Sequence, residues 1–198
     1  MPSPFSAEDR ARITERLLAA GRALFAEQGL RKTSLDDLVA PAGIAKSSFY
    51  AFFDSKEALY LELMLRQAPE LHEQLATVVN ETENARAALA GFLRATVRIL
   101  AENPLYHRLI THPEEMRAVA RRMGPEEMAR AEQVLPLPGF LAAARAKGQL
   151  VDADDDELTG VLQAVLLLPM HRQDIGEQRY PAVLDRLIDI VAAGLIKE

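Results

Sequence analysis

Apolar residues along this chain recur at helical spacing, and the alternation a half-buried strand needs is hard to find. Ile13, Leu17, Leu24 and Phe25 fall on one stripe and predict a first helix of about six turns. Gly29 follows where a C-cap with positive φ is expected. Gly21 lies inside that helix, where glycine costs about 1 kcal/mol relative to alanine, so close packing is expected to require it. Thr33-Ser34 before Leu35-Asp36-Asp37-Leu38-Val39 predicts a second, short helix, capped by a hydroxyl and favoured by acids at its positive end. Ala42-Gly43-Ile44 reads as a tight turn with positive φ at the glycine, and a third short helix runs through Lys46-Ser47-Ser48-Phe49-Tyr50. Asp54-Ser55-Lys56-Glu57 predicts a capping box with Asp54 as cap. A long fourth helix then passes through Leu59, Leu63 and Leu65, with a kink expected at Pro69.

Beyond residue 80 the helices are punctuated by proline. Leu89, Phe92, Leu93, Thr96, Val97 and Leu100 mark one helix within residues 86–101. Asn103-Pro104, His112-Pro113 and Gly124-Pro125 each resemble a cap followed by proline at the first helical position. Gly148 is expected to close the helix containing Phe140 and Leu141. Two longer segments, about 155–173 and 181–196, finish the chain. From Ala164 to Met170 the residues are apolar all round, so that helix needs cover on more than one face. The predicted fold class is all-α.

Composition narrows the function. The 198 residues are 49% hydrophobic and 26% charged, which excludes a largely disordered chain. No cysteine is present, which excludes disulfides, zinc-thiolate sites, iron–sulfur clusters and a cysteine nucleophile. The N-terminus lacks a basic segment followed by an apolar one, so no secretory signal is expected. The longest uncharged apolar stretch, Val134–Ala144, is eleven residues, against about 20 for a membrane span. The expectation is a soluble cytoplasmic protein with no membrane partner. Its net charge of −6 argues against coating nucleic acid by bulk positive charge. That acidity is unevenly placed: residues 1–65 carry a net −1 and residues 66–198 a net −5. A small, local DNA-reading surface near the N-terminus therefore stays open.

Two short helices joined by a glycine turn, with a third helix before them, describe a helix-turn-helix unit, whose second helix fits the major groove. A generic helix pair satisfies the same pattern. The residues are more specific. Leu24-Phe25-Ala26-Glu27-Gln28-Gly29-Leu30, Thr33-Ser34-Leu35-Asp36-Asp37-Leu38, Ala42-Gly43-Ile44, Phe49-Tyr50, Phe53 and Ser55-Lys56-Glu57-Ala58-Leu59 together resemble the TetR (tetracycline-repressor-like) family of bacterial transcriptional regulators. The resemblance covers about residues 10–65. It implies a flexible extension over 1–9, a three-helix DNA-binding head over 10–55, an all-α ligand-binding and dimerisation body over 56–198, and no catalysis or cofactor. By the same resemblance Thr33 and Ser34 cap the second helix and meet a phosphate. Lys46, Ser47 and Ser48 face base edges or phosphates, Tyr50 bonds a phosphate through its hydroxyl, and Lys56 meets the DNA backbone. Phe49 and Phe53 are expected inside the head.

Three departures bear on DNA contact. Ala45 stands where the family usually has a hydroxyl cap, Ala51-Phe52 replaces a polar or basic pair, and Pro41 removes a backbone donor near the end of the second helix. They keep open an alternative, a small-molecule-binding helical protein with weakened or lost DNA binding. In the body, Leu105, Tyr106, Leu109, Met116, Met123, Phe140, Leu141, Met170 and His171 are candidate linings for a largely apolar small-molecule effector. Leu158, Leu162, Val165, Leu184, Leu187, Ile188, Val191 and Leu195 form stripes on the last two helices and are the expected homodimer interface. The acids from Asp152 to Glu157 lack the glycine and ligand spacing of a calcium loop, and His112-Pro113-Glu114-Glu115 lacks that of a helical zinc site, so no metal is expected.

Overall fold

The computed structural model describes residues 5–82, 84–127 and 137–197. Ser6 caps the first helix, α1 (Ala7–Lys32), by accepting from the Asp9 N–H. Helix thus begins inside the predicted 1–9 extension, whose residues 1–4 lie outside the described residues. At Gly29 (φ 83, ψ 168) the helix breaks and restarts for one turn. α2 (Leu35–Ala42) ends on Gly43 in the left-handed region (φ 70, ψ 32), as the turn requires. Lys46–Ala51 is a 3₁₀ helix rather than an α-helix. α3 (Lys56–Asn80) is continuous through Pro69. Its cap is Ser55, whose hydroxyl accepts from the Ala58 N–H at 3.1 Å, in place of the predicted Asp54.

There follow α4 (Ala85–Glu102), α5 (Pro104–Thr111), α6 (Pro113–Ala120), α7 (Leu137–Ala146), α8 (Asp155–Leu167), a 3₁₀ turn over Leu168–His171, α9 (Arg172–Ile175) and α10 (Tyr180–Leu195). Asn84 caps α4 and Asp154 caps α8. Pro104 and Pro113 open their helices as expected, and Gly148 (φ 68) closes α7. Val134–Pro136, the start of the long uncharged stretch, lie outside the described residues. Among the described residues the one extended pairing is an isolated bridge between Leu150 and Ile196. The fold is all-α.

Backbone proximity divides the chain into two compact units, Met1–Gln67 with Pro104–Arg130, and Ala68–Asn103 with Ala131–Glu198. This division does not follow the expected boundary at residue 55. α5 and α6 belong with the N-terminal helices because polar contacts hold them there. The Tyr60 hydroxyl donates to the Leu105 carbonyl at 2.6 Å, and the Tyr106 hydroxyl to the Met64 carbonyl at 3.3 Å. The core of this unit is Leu17, Phe25, Leu38, Phe49, Leu59 and Tyr60, all with no exposed surface. A Cβ at Gly21 would lie 3.0 Å from Leu59 Cδ2, which is the close packing its position predicted.

In the second unit α4, α8 and α10 pack around Leu89, Phe92, Leu93, Leu158, Leu162, Val165 and Ile188. Arg94 on α4 bridges Asp185 and Asp189 on α10 at 2.6 Å each. These are exposed pairs and contribute little beyond fixing which faces meet.

Candidate nucleic-acid interface

The site is built on α2 and the 3₁₀ segment after it. Ser34, not Thr33, is the N-cap of α2. Its hydroxyl accepts from the Asp37 N–H at 3.1 Å, while the Asp37 carboxylate accepts from the Ser34 N–H at 2.9 Å. These bonds hold the Asp37 carboxyl below its ordinary range. The box leaves the Leu35 and Asp36 N–H groups without an intrahelical acceptor, free to face an anion. Thr33 is turned inward instead: it is 1% exposed and its hydroxyl donates to the Gly29 carbonyl at 2.8 Å. The reason is local. The Thr33 N–H and hydroxyl both donate to the Gly29 carbonyl, at 3.3 and 2.8 Å, and the pair of bonds turns the side chain back onto α1.

After Gly43 the chain enters the 3₁₀ segment at Ala45, which makes no side-chain cap bond. Phe49 is buried and turns its edge to the exposed Tyr50 ring, 5.7 Å between centroids, with Phe53 on its other side at 6.1 Å. Lys46, Ser47 and Tyr50 are exposed and Ser48 half-buried, so the expected reading residues lie accessible on one short segment. Lys46 Nζ donates to Asp36 Oδ2 at 2.8 Å, and that carboxylate raises the lysine's pKa.

Lys56 and the Ala51-Phe52 pair serve the protein's own packing. Lys56 Nζ donates to the Leu30 carbonyl at 2.9 Å and to the Thr33 carbonyl, so its charge is spent on the chain before α2 and not held out for a phosphate. Ala51-Phe52 has a structural use: Arg10 donates to the Ala51 carbonyl at 2.9 Å and stands over the Phe52 ring, which also meets Phe5 at 5.3 Å. The pair anchors the start of α1.

A junction that sequence reasoning missed lies where α1 meets α6. Glu115 is 3% exposed, and its carboxylate accepts from the N–H groups of Leu30 (3.2 Å) and Arg31 (3.3 Å). Arg108 joins it through Nε at 3.4 Å and donates to the Gln28 carbonyl at 3.2 Å. The break at Gly29 leaves those two amides exposed, and Glu115 caps the restarted turn from 85 residues away. No local sequence signal connects positions so far apart.

The expected effector residues are divided between the two units. Leu105, Tyr106, Leu109, Met116 and Met123 belong to the first unit; Phe140, Leu141, Met170 and His171 belong to the second. Leu105 and Leu109 are core, Met116 is exposed, Leu141 is packed with Leu137 and Ala144, and His171 is exposed beside Asp174 at 3.1 Å. A cleft of about 320 Å³ on the first unit is lined instead by Asp54, Ala58, Leu61, Glu62, Leu65, Arg121, Arg122 and Glu127. The expected dimer residues also need correction. Leu158, Leu162, Val165, Ile188 and Leu195 are buried within the protomer, where α8 and α10 turn their stripes onto α4. Leu184, Leu187 and Val191 are half-buried, and the exposed apolar positions are Leu167, Val183 and Ile190.

Comparison with known proteins gives the same reading of the N-terminal segment. Residues 17–63 match the family model for bacterial regulatory proteins of the tetR family. Over 104 residues the chain is 30% identical to the HTH-type transcriptional repressor KstR2 of Mycobacterium tuberculosis, covering 52% of this chain and 51% of that protein. The chain thus matches about half the length of this curated relative. The solved structure of the M. tuberculosis ketosteroid transcriptional regulator KstR2 aligns with a TM-score of 0.59 at 23% identity, covering 93% of this chain and 95% of that one. RolR, solved with its ligand resorcinol, aligns at 0.62 and 21% identity over 98% and 99%. The N-terminal segment thus matches bacterial regulatory proteins of the tetR family in sequence, and the all-α fold is shared along nearly the whole length with the KstR2 and RolR structures.

Proposed function

We propose that this protein is a ligand-responsive transcriptional repressor that binds a palindromic operator as a homodimer and releases it when a small, largely apolar molecule occupies the C-terminal part. The observation that carries the reading is the geometry of α2, Gly43 and the 3₁₀ segment. It fixes Phe49 in the core and so projects Lys46, Ser47 and Tyr50 from one short, rigid stretch. Those groups suit the major groove, and the outward N–H groups of Leu35 and Asp36 suit a phosphate beside it. Thr33 and Lys56 act behind this edge, shaping the approach to α2, and Ser34 acts as its cap. A single head offers one exposed lysine on that edge, so affinity requires two heads, about 34 Å apart on one face of the duplex.

Dimerisation is proposed through the exposed faces of α8 and α10. The helix around Ala164 to Met170 calls for cover on several sides, and Leu167 is still 46% exposed in the protomer. Val183, Leu187 and Ile190 follow the i, i+4, i+7 spacing of a second uncovered stripe. A second copy of the same two helices covers both as a self-complementary, two-fold interface. The effector is read as a small, largely apolar molecule because RolR, which shares the fold, is solved with the small aromatic ligand resorcinol. Its binding favours a spacing of the two heads that no longer matches the operator.

The test is selection by the full chain from a randomised pool of 30-base-pair duplexes, followed by anisotropy titration of the selected and a random duplex. A palindromic consensus bound well above the random duplex supports the reading. Equal binding to both at low salt overturns it.

A further inference from the structure

Lys46 is the exposed cation on the reading edge, and it is already engaged. Its ammonium donates to Asp36 Oδ2 at 2.8 Å from the second position of α2, with both side chains more than half exposed. A lysine bound for a phosphate gains nothing from a carboxylate at hydrogen-bond distance, because any phosphate approaching the ammonium also meets the carboxylate. A lysine bound for a base edge does gain. Its three N–H donors rotate freely on a flexible stem, and tying one to Asp36 fixes where the other two point. Base edges in the major groove are neutral, and guanine offers two adjacent acceptors, O6 and N7, that suit a lysine. From a phosphate's distance the pair is neutral, and from a guanine edge it is an oriented donor.

We propose that Asp36 is a specificity-determining residue: by tethering Lys46 it withholds that lysine from phosphates and presents it to a guanine edge. The proposal rests on the DNA-binding reading above. Asp36 makes no base contact of its own in this scheme and acts as a positioning residue. It also accounts for an acid standing at the phosphate-facing start of α2 beside the Asp37 needed for the cap: Asp37 serves the helix and Asp36 serves the lysine.

The experiment compares the full chain with Asp36→Asn, Lys46→Ala and the double variant, titrated against the selected duplex and a random 30-base-pair duplex from low to moderate salt. Melting curves check that each variant is folded. In Asp36→Asn, affinity for the random duplex should rise about fivefold per head, the scale of one exposed ion pair. The slope of log affinity against log salt should steepen by about 0.9 per head as Lys46 joins the phosphate contacts. The ratio of selected to random affinity should fall. In the Lys46→Ala background, replacing Asp36 should change neither slope nor ratio. An unchanged slope in Asp36→Asn overturns the proposal, as does an equal rise with Lys46 absent, which would mean that the acid merely repels DNA. Wild-type protein that binds selected and random duplexes alike removes the DNA-binding reading itself, a distinct outcome.

Discussion

Replacing Glu115 by alanine is the sharpest test of how the N-terminal unit is held together. The carboxylate is buried and receives three donors, the Leu30 and Arg31 amides and Arg108 Nε, at 3.2, 3.3 and 3.4 Å. Alanine leaves one buried and one part-buried amide unsatisfied and Arg108 without its charge partner. Each orphaned amide costs roughly 1 kcal/mol, and an arginine side chain that is 21% exposed recovers only part of its solvation. The expected loss is about 3–4 kcal/mol, within the range seen when one member of a buried ion pair is removed. Glutamine keeps one acceptor oxygen of the same shape and should lose about half as much. For a chain of this size the alanine variant should melt about 6–16 °C lower. Urea unfolding followed by circular dichroism measures the difference, and amide exchange at Leu30 and Arg31 reports on the capped turn directly. If alanine costs less than about 1 kcal/mol, or costs no more than glutamine, the capping role is refuted.

Other expectations follow from the same geometry. Gly29→Ala should destabilise by at least about 2 kcal/mol, since φ is +83 and a Cβ would fall 2.1 Å from the Arg108 guanidinium; stability within error of wild type would contradict this. Burial raises the phenols of Tyr60 and Tyr106, the latter to about 12, above an ordinary value of 10.0. Because the folded state holds these protons more tightly, their contribution is complete below pH 10 and drains away as pH rises toward 12. Tyr106→Phe should flatten the alkaline unfolding limb, and an unchanged limb would count against it. Asp37 has the opposite sign: its lowered pKa makes the α2 cap fully effective above the ordinary 3.8 and weaker as pH falls below it, so Asp37→Asn should flatten the acid limb. Ile190→Glu, at a position 60% exposed in the protomer, should leave melting of the isolated chain unchanged and convert a sedimenting dimer to monomer. A dimer that persists would move the interface elsewhere.

Much of this protein was legible residue by residue because its signals are local. Helical periodicity over residues 13–25 and 89–97, the positive-φ glycines 43 and 148, proline at the first positions of α5 and α6, and the inward Phe49 each depend on neighbours within a turn or two. Small errors of register came from competing local choices. Ser34 and Ser55 cap their helices where Thr33 and Asp54 were expected, each being the residue directly before its helix, and the Thr33 hydroxyl bonds the Gly29 carbonyl instead. The helix-turn-helix segment was recognisable for the same reason: the family match is confined to one contiguous stretch, residues 17–63.

What the sequence determined by itself was the all-α class, the order of the helices and the short segment that holds Lys46, Ser47 and Tyr50. Only the tertiary structure decided which partner each polar group takes and which side of each stripe stays exposed. A stripe on α8 or α10 states that a helix face must be buried, but not against what; packing on α4 consumed Leu158, Leu162 and Ile188 and left Leu167, Val183 and Ile190 outside. Lys56 is indistinguishable in sequence from a DNA-facing lysine until the break at Gly29 presents it with the Leu30 and Thr33 carbonyls. Glu115 and Arg108 acquire a role only when the fold carries them to the amides of Leu30 and Arg31. Hydrogen bonds and burial are satisfied in three dimensions, so a one-dimensional pattern specifies the demand and the fold selects the supplier.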